Sequence, residues 1–396
     1  MWNRRALLSA GLAVAGLPAW AQTGDKWGAQ RGYPESRASF ERATEFRVGN
    51  YSGGHERTIR HNRIRASAQA APWREAPMAG FRYRWGLLRK TPEEYMAQWP
   101  VTGLLIARDG DILFERYGFA RTPDMRLTSW SMAKSVSALL LGICIDRGLI
   151  ASFDDPAAAY VPELRGTLHG EASLRQLANM TSGAEVVHER DNASIYPGAL
   201  LGNDPDIART VSGWNQRREA AGARFNYNEL CALALGMVIR RVTGTSLSAF
   251  AEQALWRPMG AEGDATWLTD ARGAEFNSIG FAARLRDWAR LARVVAQRGR
   301  GPDGQPIVSG AWIDEISRWG ERDAAVRYGW PRPAIGYKAL FWHSKADGSR
   351  PAMHGHHGQR VVIDLPTRTV LVHTAVDHEG LWATELMEMF DAVTRV

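Results

Sequence analysis

Ser129-Trp130-Ser131-Met132-Ala133-Lys134-Ser135-Val136 marks the point where the apolar pattern of the chain changes from strand to helix. After Ser131, the residues Val136, Leu139, Leu140 and Ile143 recur at three- and four-residue steps, the spacing of one helix face. Gly148 follows Arg147 as a C-terminal cap, so the spacing predicts a helix from Ser131 to about Gly148. Three residues of separation at a helix start put Ser131 and Lys134 on one face, a turn apart. A serine hydroxyl is a poor nucleophile until another group takes its proton. A lysine buried among apolar side chains can lose enough pKa to share that task. The helix start adds N–H groups and positive potential that favour a developing oxyanion. A capping Ser with a solvated Lys would produce the same spacing. Against that bland reading, the chain has only Lys26, Lys90, Lys134, Lys338 and Lys345, and Lys134 alone sits inside an apolar helical pattern.

Upstream, Val101 to Arg108 and Asp111 to Phe119 are apolar, β-rich runs separated by Asp109-Gly110. Asp-Gly between such runs predicts an antiparallel hairpin, because both turn positions favour positive φ. Thr91-Pro92-Glu93-Glu94 has the chemistry of a helix start, and that helix ends before Pro100. Residues 22–90 have weak periodicity and read as an irregular segment that wraps the fold. Downstream, helices are expected at Leu174 to Met180, Glu229 to Val242, Ser246 to Leu255, Arg284 to Arg298 and Trp312 to Trp319. Tyr337 to Trp342, Gln359 to Asp364 and Val370 to Thr374 read as strands, and Leu381 to Val393 as a closing helix. Strands lie at both ends and helices between them. That order predicts an α/β (α+β) fold: an antiparallel sheet flanked by helices, with a mostly helical subdomain inserted at about 155–275.

Two further stretches carry chemistry. In Phe225-Asn226-Tyr227-Asn228-Glu229, a tyrosine beside a cation can serve as phenolate or proton relay, since the cation favours its charged form. Met353-His354-Gly355-His356-His357-Gly358-Gln359 leads into Val361-Val362-Ile363. Gly355 in a strand permits close backbone approach, and an edge strand lining a site can give an N–H to an oxyanion. The three histidines raise the possibility of a metal. Strand alternation would leave only His354 and His356 on one face, however, and no acid cluster accompanies them, so site-lining or surface histidines are expected. His188 and Asp191 fall in a loop after Thr181-Ser182-Gly183 that shapes substrate choice. Trp130 and Trp342 read as core or pocket walls.

Together these stretches resemble the serine β-lactamase and penicillin-binding-protein superfamily on its class C side. Within it they are most similar to the branch of the 6-aminohexanoate-dimer hydrolases and related esterases. The resemblance spans about residues 90–395. It rests on Ser129 to Val136, Ser152-Phe153-Asp154-Asp155-Pro156, Leu174-Arg175-Gln176-Leu177 with Thr181-Ser182-Gly183, Phe225-Asn226-Tyr227 and Trp256-Arg257-Pro258-Met259-Gly260. It implies a catalytic domain over 91–396, with Ser131 as the acylated nucleophile and Lys134 assisting removal of its proton. Tyr227 would be the general base and later the acid to the leaving group. The N–H of Ser131 and one from the strand around His356, with Gly355 and His354 beside it, would receive the oxyanion and substrate. No metal or organic cofactor is implied. Two positions depart from the family pattern. Glu229 stands where the Y-x-N motif has Asn, and Met353-His354-Gly355 stands where the K-T-G motif has Lys. That lysine helps hold a substrate carboxylate in β-lactamases and transpeptidases. Its loss favours a linear amide or ester over a penicillin-type substrate.

The remaining composition sets bounds. With 396 residues, 45% hydrophobic and 23% charged, the chain is neither disordered nor in need of a metal or disulfide staple. Arg4-Arg5, the apolar run Ala6 to Ala19 and Ala19-Trp20-Ala21 form the pattern of a secretory signal peptide over 1–21, with a twin-arginine look, and predict an exported, periplasmic protein. The leader holds two Arg and no acid, so its removal takes the net charge from +7 to +5. The cations are dispersed among acids, which argues against nucleic acid as a partner. No later stretch is long and apolar enough to cross a membrane. The expected partner is a small amide or ester substrate. Cys144 and Cys231 both lie in helical apolar patterns, where buried free thiols are expected, although an exported protein could join them.

Overall fold

The hairpin that opens the catalytic region forms as expected. In this computed structural model, which describes residues 25–40, 43–327, 335–377 and 381–396, Val101–Arg108 pairs antiparallel with Asp111–Tyr117 in the register Arg108↔Asp111 to Gly103↔Tyr117. Asp109 takes φ 56° at the turn, whereas Gly110 stays out of the left-handed region. The leader at 1–21 lies outside the described residues. Val101–Ala107 is buried at every position, because both faces of this central strand are covered.

The hairpin belongs to an eight-stranded sheet. Its order is Gly336–Lys338, Phe341–His343, Pro351–Gly355, Gln359–Asp364, Thr369–Ala375, Val101–Arg108, Asp111–Tyr117 and Arg74–Glu75. All pairings are antiparallel except the last, which is parallel. Alternation assigns the faces. Leu105, Ala107, Val361, Ile363 and Val372 enter the core with Leu285 and Trp288 of the helix Leu285–Ala296. Leu104, Ile106, Val362 and Leu371 pack on the other side against Trp382, Leu386, Met389 and Phe390 of the closing helix Trp382–Thr394.

The helix Met132–Asp146 is buried from Met132 to Cys144 on all sides, which suits a central helix rather than an amphipathic one. Gly142 permits its close crossing with the helix Gly310–Ser317, since a Cβ there would run into the Trp312 indole. Trp312 Nε1 donates to Ala138 O at 3.0 Å across the same crossing. Gly148 takes φ 68° at the C-terminal end. Cys144 and Cys231 are free and buried. Among the described residues, no single helix is long and apolar enough to cross a membrane.

Two expectations are corrected. Residues 22–90 are not irregular throughout. They contribute His61–Ile64 to a second sheet of order His61–Ile64, Ala265–Leu268, Phe281–Ala283 and Leu127–Thr128, as well as Arg74–Glu75 to the large sheet and a hairpin Tyr83–Trp85/Leu88–Lys90. That hairpin is pinned from beneath, where buried Glu385 accepts from Tyr83 Oη at 2.6 Å and Trp99 Nε1 at 2.8 Å and pairs with Lys90. The mostly helical segment 155–275 also contains the strand Ala265–Leu268. These strands have two to four residues and draw their stability from partners distant in sequence, so no local alternation marks them. Finally, Tyr337 to Trp342 is two strands. Ala339 and Leu340 take φ 47° and 63° at a tight reversal. Contacts from the helical region hold it: Leu340 N donates to Ala178 O at 2.9 Å and Ala339 N to Asn179 Oδ1 at 2.9 Å, while Leu340 O accepts from Ser135 Oγ at 2.7 Å.

Candidate active site

Ser131 follows a strained turn. Trp130 takes φ 44°, in the left-handed region that a bulky residue rarely adopts. Ser129 fixes the turn to the second sheet: its N–H donates to Phe281 O at 2.7 Å and its Oγ to Ile279 O at 2.7 Å. Trp130 is wedged among Phe40, Tyr51 and His55. Residues from the N-terminal segment therefore lock the turn that presents Ser131, a role its sequence did not signal.

Both parts of the bland reading fail. Ser131 occupies the N-cap position but makes no capping hydrogen bond. Lys134 is 1% exposed, not solvated. Its Nζ donates to Ser131 Oγ at 2.9 Å, to Glu229 Oε2 at 2.7 Å and to Ser278 O at 3.0 Å. An ammonium has three donors, and all three are used. The Nζ also lies 4.9 Å over the Tyr227 ring. Tyr227 and Glu229 come from the start of the helix Glu229–Thr243, which Asn228 caps by accepting from Cys231 N at 3.1 Å. Glu229 is fully buried, and its Oε1 has no hydrogen-bond partner among the described residues; His188 Nδ1 lies 3.7 Å from it.

The electrostatics overturn the expectation of a lysine with a lowered pKa. Burial pulls Lys134 down, but the opposite charge of Glu229, aided by Tyr227, outweighs it and holds the ammonium above its ordinary value. Burial pushes Glu229 up, yet Lys134 outweighs it and holds the carboxyl below its ordinary value. Tyr227 is raised by burial and by Glu229 against the opposing pull of Lys134 and a hydrogen bond from Ser131. The pair is therefore ionised and Tyr227 neutral at neutral pH. Its contribution to stability is present there, lost as pH falls through the lowered Glu229 value and lost again as pH rises through the raised Lys134 value. Glu229 stood out in the sequence only as a departure from a motif. Its partnership with Lys134 spans 95 residues and leaves no local trace.

The third stretch arrives in altered form. Pro351–Gly355 is not an edge strand, since Phe341–His343 pairs with it at Pro351 and Ala352. That pairing stops at Ala352, and Met353 to Gly355 continue toward the site. A Cβ on Gly355 would collide with Ser129 O and crowd Trp130 Cβ at 3.0 Å, so glycine lets the strand end lie against the turn before Ser131. Gly355→Ala is expected to force the two apart and lower kcat/KM by about 10²-fold. Steady-state kinetics beside a melting curve checks this, and an unchanged kcat/KM would refute the close approach. His356 leaves the strand for a short 3-10 turn, His356–Gly358, so strand alternation does not relate it to His354. His356 is exposed near Trp130, while His357 is buried with Nδ1 2.6 Å from Tyr51 Oη. His354 stacks on Trp342 at 5.7 Å, and Trp342 lies 5.4 Å from Tyr227. Phe225 and Tyr337 complete an aromatic wall around Tyr227. Among the described residues, no three His, Cys, Asp or Glu side chains are grouped to hold a metal ion.

A serine touched by a buried ammonium, a tyrosine ring beside that ammonium and a glycine strand end against the serine turn meet at one place. Comparison with known proteins gives the family. The Beta-lactamase family model matches residues 88–375. The 6-aminohexanoate-dimer hydrolase of Paenarthrobacter ureafaciens is 27% identical over 292 residues, covering 71% of this chain and 74% of that one. A Bacillus anthracis structure described as a candidate 6-aminohexanoate-dimer hydrolase superposes with a TM-score of 0.79 at 20% identity, over 91% of this chain and 98% of that one. A family VIII carboxylesterase superposes with a TM-score of 0.58 at 19% identity, over 76% and 94%. The chain belongs to the beta-lactamase family and is a serine hydrolase of that superfamily.

Proposed function

We propose that this hydrolase cleaves a linear amide or ester through an acyl-enzyme on Ser131. The observation that carries the proposal is the Lys134 ammonium, fixed by Glu229 and placed 2.9 Å from Ser131 Oγ with Tyr227 against it. With the lysine held as a cation, Tyr227 is the group available to accept a proton. In the fraction of molecules whose Tyr227 has already released its proton to solvent, the phenolate, stabilised by Lys134, takes the proton of Ser131 as Oγ bonds to the substrate carbonyl carbon. The carbonyl oxygen gains the negative charge and faces the Ser131 N–H and the strand end at Gly355 and His356. Collapse breaks the C–N or C–O bond, and Tyr227 returns its proton to the leaving group. Water then attacks the acyl ester, giving a proton to Tyr227, and Ser131 recovers its own from there.

The aromatic wall of Phe225, Tyr337 and Trp342 suits an apolar acyl chain, and Met353, in place of a strand lysine, leaves no cation there for a penicillin carboxylate. The P. ureafaciens relative supports a linear amide as substrate. A panel of linear esters and amides in a chain-length series tests the reading. Turnover that depends on chain length is expected, while nitrocefin turned over as fast as the best ester would overturn it.

Glu229 sets the working pH. The negative charge of Glu229 raises Tyr227. Glu229→Gln keeps an acceptor for Lys134 but removes that charge, so the rising limb of kcat/KM against pH is expected to move to lower pH. An unmoved limb would separate Glu229 from the proton chemistry.

A further inference from the structure

The hairpin Tyr83–Trp85/Leu88–Lys90 has no part in the chemistry above, and its surface breaks two local rules. Its loop is Gly86-Leu87, with Gly86 at φ 60°. Glycine first in a two-residue loop is ordinary turn chemistry, and the second position ordinarily takes a small polar residue. Here it takes leucine. Leu87 is 96% exposed, the highest value among the large apolar side chains described, and Leu88 beside it is 61% exposed. The second departure lies in the strands. The register sets Arg84 directly opposite Arg89, and like charges in that position destabilise a sheet. Among the described residues, neither arginine has a carboxylate partner. Arg82, exposed just ahead of them, lies 3.8 Å from Glu94.

Strand alternation separates the two faces of the hairpin. Tyr83 and Trp85 turn inward and pack with the closing helix Trp382–Thr394, so Arg84 and Arg89 face outward. The base is braced, because buried Glu385 holds Tyr83 and Lys90, and Arg84 Nε donates to Gly86 O at 2.9 Å across the turn. Two leucines at a projecting tip, a half-buried tryptophan at its shoulder and arginines on the outer face have the composition of an element at a lipid–water interface. There the apolar side chains enter the acyl boundary and the guanidiniums stay at the headgroups. Charge complementarity selects an anionic headgroup, whose phosphates would also relieve the Arg84–Arg89 repulsion. An acidic protein surface would answer the arginines but not the exposed leucine between them. The closing helix beneath the hairpin and the helix Met132–Asp146 pack on opposite faces of the large sheet, so this surface stands apart from Ser131.

We propose that this hairpin docks the protein on an anionic phospholipid surface, with Leu87 and Leu88 inserted at the headgroup boundary and Arg84 and Arg89 on the phosphates. The test is sedimentation of the full chain with phosphatidylcholine vesicles, prepared with and without phosphatidylglycerol. Binding is expected to be about tenfold or more tighter on the phosphatidylglycerol vesicles and to weaken as salt rises. Leu87→Ser is expected to weaken it about tenfold, the effect of one leucine left in water. Arg89→Ser is expected to weaken it about fivefold, the effect of one cation lost from an anionic surface. Any contribution from another part of the chain is common to the three proteins and cancels in these ratios. Both side chains lie in solvent, so the melting temperature and kcat/KM for a soluble ester should stay at wild-type values, and either variant that melts like the wild type decides. Equal binding to the two kinds of vesicle, or unchanged binding in the variants, overturns the proposal. So does a loss in Arg89→Ser with none in Leu87→Ser, the pattern of an acidic protein partner.

Discussion

Ser131→Ala is expected to abolish ester turnover and labelling by a fluorophosphonate, a loss on the order of 10⁴-fold or more. The size follows from the geometry. Lys134, Tyr227 and the helix start all converge on one oxygen atom, Ser131 Oγ. Removing it leaves the supporting groups with nothing to activate. The fold should survive, because Ser131 makes no capping hydrogen bond and its backbone is held by Ser129 and the helix that follows. A melting temperature near that of the wild type would accompany the loss, and retained turnover would remove Ser131 from the chemistry.

Tyr227→Phe is expected to lower kcat by about 10²-fold or more, the loss typical of a missing general base. Its ring packs edge-on or tilted against His188 at 5.2 Å, Trp342 at 5.4 Å and Tyr337 at 5.7 Å. Phenylalanine keeps those contacts, so the variant deletes the hydroxyl with little else. The prediction separates two mechanisms. If Lys134 were the base, the hydroxyl would be dispensable. However, Glu229 holds Lys134 above its ordinary pKa, and its three donors are occupied. An unchanged rate in Tyr227→Phe would mean that Lys134 gives up its proton despite this pairing. The rising limb of kcat/KM assigned above to Tyr227 should also disappear in the variant.

The elements that can be read from the sequence are those whose stability is local. The Asp109-Gly110 hairpin, the helix after Ser131 and the strand Gln359–Asp364 each declare themselves through turn chemistry or periodicity. The helix from Glu229 to Gly244 carries both a cap and a stop signal, Asn228 and a left-handed Gly244. The second sheet is the opposite case: His61–Ile64 buries only Ile64 and exists because Ala265–Leu268 lies beside it. The Ala339-Leu340 reversal has neither Gly nor Asn, and its shape comes from Ala178, Asn179 and Ser135.

The site divides in the same way. Spacing and residue type single out Ser131, Lys134 and Tyr227 as candidates, and the structure brings them together. Burial alone would lower Lys134, and the group that reverses the sign is a carboxylate on another helix. Alternation carries the strand through His356, whereas the chain leaves it there. His357 at φ 53° and Gly358 at φ 91° turn the chain out of it.

The most direct test of the acyl-enzyme is mass spectrometry of the intact protein, quenched during turnover of a slow linear ester and then mapped to peptides. A mass increase equal to the acyl group, carried by the peptide holding Ser131 and absent in Ser131→Ala, is the predicted result. Steady turnover with the acyl group on another residue, or with none bound while Ser131→Ala remains active, would contradict it.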